Sequence, residues 1–271
     1  MNPVLLELGG FELRWYSVLV LLAVVLGGFL FQREAKRFSV KTDFVFNMAF
    51  WAIIFGLLGA RLYYVIFQWE YYSMHLNEIY QIWNGGIAIH GAIIAGLIAV
   101  VVYCKKYQAR TVRYVDFAVV ALVIAQALGR WGNFFNSEAY GAVTTAEKLN
   151  SFLIPKFVVE GMKIDGVYYT PTFFYESIGC LILFMILLVI RRGKYTKVGT
   201  PTGWYLVGYG LIRFFIEASR TDSLMLVGFK MAQLASVVMI IIGLIMLMIN
   251  GKKSKFEDLY NDKNNVDVIQ F

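Results

Sequence analysis

Charge, cysteine and histidine are all scarce in this chain. Asp, Glu, Lys and Arg make up 16% of its 271 residues, against about 25% in an ordinary soluble domain. The remainder is 59% hydrophobic and 17% aromatic, and the mean hydropathy is +0.63. A soluble protein of this length has no single core large enough to hide that surface, so the bilayer is part of its solvent. Two cysteines, Cys104 and Cys180, sit in or beside apolar runs and give no disulfide framework. Two histidines in different segments, without an HExxH pair or a cysteine cluster, point to no metal site and no cofactor. A GxSxG elbow and a P-loop are both missing. The start MNPVLLELGG has no basic n-region or small-residue cleavage site, so no removable signal peptide is expected. There is no fixed-period repeat, soluble domain or interdomain linker.

What is present is a series of apolar runs near the ~20 residues that cross ~30 Å of hydrocarbon. They lie at 15–32, 46–67, 87–104, 115–134, 173–190, 203–217 and 231–250. The sixth is short and broken by Gly208, Gly210 and Arg213. The net charge of +7 does not point to nucleic acid, because the basic residues cluster between the runs. Arg33, Lys36, Arg37 and Lys41 follow run one, and Lys105, Lys106, Arg110 and Arg113 follow run three. Arg191, Arg192, Lys194 and Lys197 follow run five, and Lys252, Lys253 and Lys255 follow run seven. The segment 68–86 has no Lys or Arg, and 135–172 has three lysines. The positive-inside rule then puts the N-terminus outside and the C-terminus in the cytoplasm. The expectation is an all-α, polytopic, seven-helix membrane domain over 1–251. It carries an outer-face region at 135–172 and a mobile cytoplasmic tail at 252–271.

Polar residues within the spans gather at one depth. Arg61 stands roughly 15 residues, or ~22 Å, into span two, and Arg130 stands at a similar depth in span four. Arg213 lies ten residues after Gly203 in span six. The outward starts of spans one, three and five add Arg14, Trp15 and Tyr16, then His90, then Tyr175 and Glu176. An ionised side chain at mid-membrane costs ~2.5–3.5 kcal/mol on insertion scales and usually faces a cavity or a partner. Several at one depth indicate a polar pocket in the outer half, and guanidinium forks there suit a phospholipid head group.

Each feature also has a plainer reading. Arg61 could snorkel or pair with Glu70, Arg130 could pair with Glu138, and Arg213 with Glu217. His90 could be a satisfied interior histidine, although Gly85, Gly86 and Gly91 allow close backbone approach around it. Asn133 and Asn136 could be helix-to-helix glue. Trp15, Trp69, Tyr71, Tyr72 and Trp83 fit an aromatic belt. Asp116, near Arg113 at a helix start, reads as a cap or dipole partner.

The run GRWGNFFNSEAYG (129–141) matches the pattern G-R-x-G-N-F-x-N-x-E-x-x-G at every fixed position. By this run the chain resembles the prolipoprotein diacylglyceryl transferases. LRWYS (13–17), GARLYYV (59–65), GGIAIHG (85–91), PTFFYE (171–176) and YGLIRFFIEASRTD (209–222) resemble the family's other blocks, in its order, over roughly 200 residues. Where many members carry a histidine before the proline of the PTFFYE block, this chain has Thr170.

The resemblance implies a bacterial plasma-membrane enzyme with its active site toward the outer leaflet. It would move the diacylglyceryl group of phosphatidylglycerol onto the lipobox cysteine of a prolipoprotein signal peptide and release glycerol 1-phosphate. It also implies site residues. The family's essential arginines fall on Arg130 and Arg213. Its signature asparagine, glutamate and last glycine fall on Asn133, Glu138 and Gly141, and its tyrosine and histidine blocks on Tyr16, His90 and Tyr209. On this reading Arg130 and Arg213 hold the phosphate, with Arg61 as a further lipid contact. Asn133, Asn136 and Glu138 order the pocket. His90 is the candidate base, and Tyr16 positions substrate or assists proton transfer; alternatively, the arginine field itself lowers the thiol pKa. The partners are phosphatidylglycerol, signal peptides with a lipobox cysteine and membrane lipids. The competing class is a transporter or flippase for an anionic lipid or solute; a different membrane transferase or acyltransferase using the same outer pocket is a further rival.

Overall fold

A computed structural model of the chain describes residues 3–9, 11–220, 225–226 and 229–262. It is mostly helical. A short hairpin, Val4–Leu8 against Phe11–Arg14, precedes α1 (Trp15–Arg37) and α2 (Thr42–Phe67). After α3 (Trp69–Tyr72) come α4 (Ile89–Lys106) and α5 (Thr111–Phe135). The segment after α5 holds α6 (Ala146–Ser151) and α7 (Lys156–Gly161), and then come α8 (Thr172–Ile190), α9 (Thr200–Ala218) and α10 (Met231–Lys252). Six of these helices, α1, α2, α4, α5, α8 and α10, are long and apolar enough to cross a membrane. The seventh expected run, 203–217, is also helical but less apolar. The exposed side chains of the six are those expected to face lipid: Leu21, Val24, Phe46, Ile53, Ile93, Ile182 and Ile241 are each half exposed or more.

The chain forms two compact units, residues 1–31 with 115–262, and residues 32–114. In the second, α2 and α4 pack through small residues: a Cβ on Gly56 would lie 3.4 Å from the Ala92 carbonyl, and Gly59 abuts Ala95 and Gly91. Such contacts bring backbones close where lipid removes the hydrophobic drive to associate. Phe44 anchors the other end, against Tyr103, Tyr107 and Tyr114. In the loop after α2, Tyr71 donates to Glu78 (2.8 Å), a bond that raises the tyrosine's pKa.

In the first unit α5 is the most enclosed of the six, with 56% of its apolar window buried against 11% for α1 and α10. Val120, Val123 and Ala127 of α5 meet Cys180, Leu183 and Leu187 of α8 and Tyr205 of α9. The glycines that make α9 weak as a hydrophobic run are its packing face. Gly203 abuts Gly243 and Leu247, Gly208 abuts Leu183, and Gly210 abuts Ser236 and Ile240. The helix is tied at its start by Asp116 of α5, which accepts from the Gly199 amide (2.6 Å), the Thr202 amide (3.0 Å) and the Thr202 hydroxyl (2.5 Å). Asp116 is thus a cap, but for α9 and from a neighbouring helix.

Two further segments are more ordered than their sequence suggests. Residues 135–172 carry a three-stranded sheet (Val143–Thr144, Val167–Tyr169, Lys163–Ile164) and a core of their own. Leu149, Ile154, Val158 and Met162 pack there with Phe134 and Phe173 from the ends of α5 and α8. The tail does not leave the protein after α10. Tyr260 is fully buried and edges onto Phe117 (6.2 Å), its amide donates to the Thr196 carbonyl (2.7 Å), and Asn261 donates to the carbonyls of Arg191 and Gly193. These groups satisfy backbone carbonyls of the turn that follows α8. Residues 263–271 of the tail lie outside the described residues.

Asp116→Ala removes a buried acceptor from three donors. It is expected to cost roughly 2–4 kcal/mol, and to lower the thermal unfolding midpoint in detergent, because a cap is lost and buried donors are left unpaired. Asp116→Asn, which keeps one acceptor oxygen, should fall less; an unchanged midpoint in Asp116→Ala would remove this residue as the anchor of α9.

Candidate active site

The expensive residues of the first unit converge on one carboxylate. Glu176, one turn into α8, is 1% exposed. Arg130 near the end of α5 pairs with its Oε1 at 2.7 Å, and Arg213 on α9 donates to its Oε2 at 3.4 Å. The Tyr209 hydroxyl, one turn before Arg213, donates to Oε1 (3.2 Å). Arg213 also pairs with Glu217 one turn on, at 2.6 Å. An isolated ion would be unaffordable here, and the network neutralises each one.

The rest of the signature run surrounds Arg130. With its amide oxygen toward Arg130 and its nitrogen toward Glu138, Asn133 accepts from the guanidinium at 3.3 Å and donates to the carboxylate at 3.2 Å. Asn136 donates to the same Glu138 oxygen at 3.3 Å. The turn presenting Glu138 is unusual: Ser137 and Ala139, on either side, have φ of 53° and 56°. Left-handed backbone at two non-glycine residues is strained, and it survives only where surrounding contacts over-determine it. Those contacts come from Gly141. Its amide donates to the Thr170 carbonyl (2.9 Å) and the next amide to Ser219 (3.1 Å), while the Thr172 hydroxyl donates to Ala139 (2.6 Å). A Cβ on Gly141 would fall 2.9 Å from Thr172 Cγ2 and 3.1 Å from the Ser219 oxygen. The glycine is therefore the junction of the signature turn, the entry to α8 and the end of α9.

Two contacts join α1 to this helix end. Trp15 stacks on Phe135 (4.8 Å, 14°), and the Tyr16 ring lies over Gly132, where a Cβ would meet it at 2.5 Å. Tyr16 is 42% exposed. On the other side Trp131 donates to Ser177 (3.1 Å), whose hydroxyl donates to the Ala127 carbonyl (2.9 Å), locking α5 against α8.

The sequence-derived residues therefore divide. Tyr16, Arg130, Asn133, Asn136, Glu138, Gly141, Tyr209 and Arg213 belong to the first unit, and Arg61 and His90 to the second. His90 opens α4 with its ring 6.1 Å from that of Tyr63. Arg61 neither snorkels nor pairs with Glu70. It donates to the carbonyls of Ile79 (2.8 Å), Gly85 (2.9 Å), Gly86 (2.8 Å) and Glu78 (2.6 Å), and lies 5.1 Å from the Tyr72 ring centroid. Four of its five donors are thus spent holding the segment after α3. Of the two i,i+4 or near-neighbour pairs expected, Arg213–Glu217 is present, whereas Arg130 pairs with Glu176 and reaches Glu138 through Asn133. Glu176 stands among the polar residues that the sequence places at one depth, and its part as the shared counter-charge comes from the structure alone. The signal was its place in an otherwise apolar helix, where a carboxylate needs a cation from another span. Thr221 and Asp222, at the end of the Arg213 block, lie outside the described residues. Among the described residues no group of three His, Cys, Asp or Glu side chains is placed to hold a metal ion.

A polytopic helical membrane protein with two arginines on facing carboxylates near the ends of its spans is the class these features define. Residues 3–249 match the family model described as prolipoprotein diacylglyceryl transferase, and the chain belongs to that family. It is 41% identical over 254 residues to a Staphylococcus saprophyticus protein, covering 93% of this chain and 91% of the relative. It is 41% identical over 242 residues to one from Ligilactobacillus salivarius (89% and 90% covered), and 43% over 249 residues to one from Streptococcus agalactiae (92% and 95%). All three carry the name phosphatidylglycerol–prolipoprotein diacylglyceryl transferase.

Glu176→Gln keeps the side-chain shape and removes the shared charge. Breaking a buried pair costs ~3–5 kcal/mol, and the lower end is expected because the Arg130 and Arg213 side chains are 22% and 16% exposed. The thermal midpoint should drop accordingly, and less so in an Arg213→Gln background, where half the pairing is already gone. Equal drops in both backgrounds would separate Glu176 from Arg213.

Proposed function

We propose that this chain transfers the diacylglyceryl group of phosphatidylglycerol to the lipobox cysteine of prolipoprotein signal peptides. The observation that carries the reading is the Arg130–Glu176–Arg213 network, which joins the signature run to the blocks PTFFYE and YGLIRFFIEASRTD. Relatives at 41–43% identity bear the name of this activity, and no observation favours a transporter or flippase.

The reaction is a displacement at the glycerol carbon that bears the phosphodiester. The thiol sulfur forms the new C–S bond, the C–O bond to phosphate breaks, and the electron pair leaves with glycerol 1-phosphate. Arg130 and Arg213 hold the phosphate and stabilise the charge that grows on it. Their contacts to Glu176, Glu217, Asn133 and Tyr209 leave about half of their ten N–H donors for an anion. Asn133, Asn136 and Glu138 fix the azimuth of the Arg130 guanidinium. Tyr209 positions Glu176, and Tyr16, exposed beside Gly132, positions substrate. The thiol must lose its proton before attack, and His90 is the base we assign. Arg61 contributes by holding the segment after α3 rather than as a phosphate ligand. Cys104 and Cys180 take no part, because the reacting cysteine is the substrate's.

We further propose seven spans in the bacterial plasma membrane, N-terminus outside, with the site toward the outer leaflet. Helix α9, at 19 residues, is about 28 Å long, close to the hydrocarbon thickness. Lys36 and Arg37 end α1, Lys105 and Lys106 end α4, and Lys252 ends α10, which supports placing those ends in the cytoplasm.

Incubation of the purified protein with phosphatidylglycerol and a lipobox peptide should add one diacylglyceryl group to the peptide, read by mass. Arg130→Lys should insert normally yet lose about 10²–10³-fold in rate, because a point charge cannot replace a fork; near-normal transfer would sink the phosphate-clamp role. For proton removal, His90→Gln should slow transfer about 10²-fold or more at neutral pH and recover as rising pH supplies thiolate. A wild-type rate and pH profile would exclude His90.

A further inference from the structure

The short helices α6 and α7 of the first unit are joined by a turn that carries apolar side chains into the open. Phe152 and Leu153 in the turn are 62% and 91% exposed, and Phe157 in the first turn of α7 is 52% exposed. The backbone makes the choice of residue stranger. Leu153 has φ of 55° just after α6, where its amide donates to the Asn150 carbonyl (3.1 Å) and that of Phe152 to Leu149 (3.3 Å). This is the helix-ending position that glycine usually takes, because a Cβ is disfavoured in left-handed backbone. Facing water, a leucine here would be unfavourable twice, through backbone strain and through exposed apolar surface. Facing hydrocarbon, the second term changes sign.

What covers the turn follows from the depth of its base. At 19 residues α8 is about 28 Å long, so it needs its whole length to cross ~30 Å of hydrocarbon, and its first turn lies at the hydrocarbon edge. That turn holds Phe173 and Phe174, and the Trp131 ring meets both edge-on (5.3 and 6.3 Å). Phe157 stacks on the same Trp131 (6.2 Å, 18°). Leu149, Val158 and Met162 pack against Phe134 and Phe173 at the same level. The α6–α7 pair is therefore seated beside the last turn of α5 and the first turn of α8, at the height where membrane proteins place their aromatic belts. Lys148 in the last turn of α6 and Lys156 at the start of α7, both exposed, flank the apolar turn.

We propose that the α6–α7 turn is inserted in the surface of the bilayer, with Phe152, Leu153 and Phe157 among the upper acyl chains and Lys148 and Lys156 at the head groups. Amphipathic elements at an interface bury apolar side chains just below the phosphates, and long lysine stems let the ammonium stay among them. The partner is the membrane itself. Insertion holds down the segment that begins with the Glu138–Gly141 turn, and it is independent of the transfer reaction. Only its assignment to the outer leaflet rests on the orientation proposed above.

The test is fluorescence quenching on the full-length protein in vesicles of phosphatidylglycerol and phosphatidylcholine. Leu153→Cys carries an NBD dye; Cys104 and Cys180 are buried and stay unlabelled, and the replaced side chain touches little, so the fold is not at risk. Asp165→Cys, in the exposed polar turn between Lys163–Ile164 and Val167–Tyr169, is the reference. Doxyl groups on the acyl chains should quench the dye at 153, and aqueous iodide should quench it about fivefold less than the dye at 165. A dye on Phe152→Cys should behave as the one at 153. Iodide quenching at 152 and 153 as strong as at 165, with no quenching by doxyl lipid, would overturn the insertion. Shielding from iodide that begins only when a lipobox peptide is added would make the turn a peptide site and equally overturn it. Vesicles in which the wild-type protein transfers nothing, while the dye at 153 remains quenched by doxyl lipid, would refute the proposed function and leave the insertion standing.

Discussion

The carboxylate of Glu176 is the point on which the first unit depends. A glutamate inside an apolar helix can remain ionised only if cations reach it from elsewhere, because helix α8 supplies none nearby. Arg130 and Arg213 are those cations, so α5, α8 and α9 must stand at one relative depth and rotation. The same need runs in reverse: without Glu176 the two guanidiniums would repel each other across a short gap of low dielectric. At the far end of α5, Asp116 repeats the device with amide donors in place of arginines. One helix is thus fastened to α9 by a carboxylate at one end and to α8 and α9 by an arginine at the other.

Apolar contact could not set this geometry alone. In lipid there is little gain in moving Leu or Ile from tails to a neighbouring helix, so close packing and polar pairs decide which faces meet. Gly203, Gly208 and Gly210 let α9 touch α8 and α10 along two faces, and the same residues lower its hydropathy. Helix α9 is a poor hydrophobic run because one side of it, at Gly203, Tyr205, Gly208 and Gly210, is given to packing against protein. Its place against α8 and α10 is better read from its neighbours than from its composition.

Much of this was legible in the sequence. Seven apolar runs became seven helices within a few residues at each end, because runs of that length have few other ways to satisfy their backbone in lipid. The signature run gave Arg130, Asn133, Asn136, Glu138 and Gly141, and depth reasoning added Arg213 and Tyr16. What depth could not supply was pairing. It set Glu176 at the right level without saying that two arginines from other spans would share it, since a one-dimensional reading favours partners in the same helix, such as Glu138. Nor could it separate an arginine of the Glu176 network from one that ties down a loop: Arg61 stands as many residues into its apolar run as Arg130 does into its own, and only the positions of the Glu78, Ile79, Gly85 and Gly86 carbonyls reveal its use. The fold of 135–172 was hidden for another reason. Its core is assembled from Phe134 and Phe173 at helix ends together with short apolar patches too irregular to show a period.

The charge balance of the network bears on how an anion is received. Arg130 and Arg213 contribute +2 and Glu176 and Glu217 contribute −2, so the four together are neutral. Neutrality lets the cluster exist in a membrane without a ligand, yet it raises the question of why a phosphate would enter. The burial pattern answers it. The carboxylate side chains are 2% and 4% exposed, whereas those of the arginines are 22% and 16%. The carboxylate side chains are the more enclosed and the arginine side chains the more accessible, so a phosphate received as proposed would meet the arginines first. Their N–H donors are already oriented, by Glu176 behind them and by Asn133 beside Arg130. Electrostatic stabilisation is most effective when the dipoles need not reorganise as charge develops. If the two arginines act as proposed, a carboxylate that weakens the net field strengthens catalysis, by fixing them where the leaving phosphate would need them.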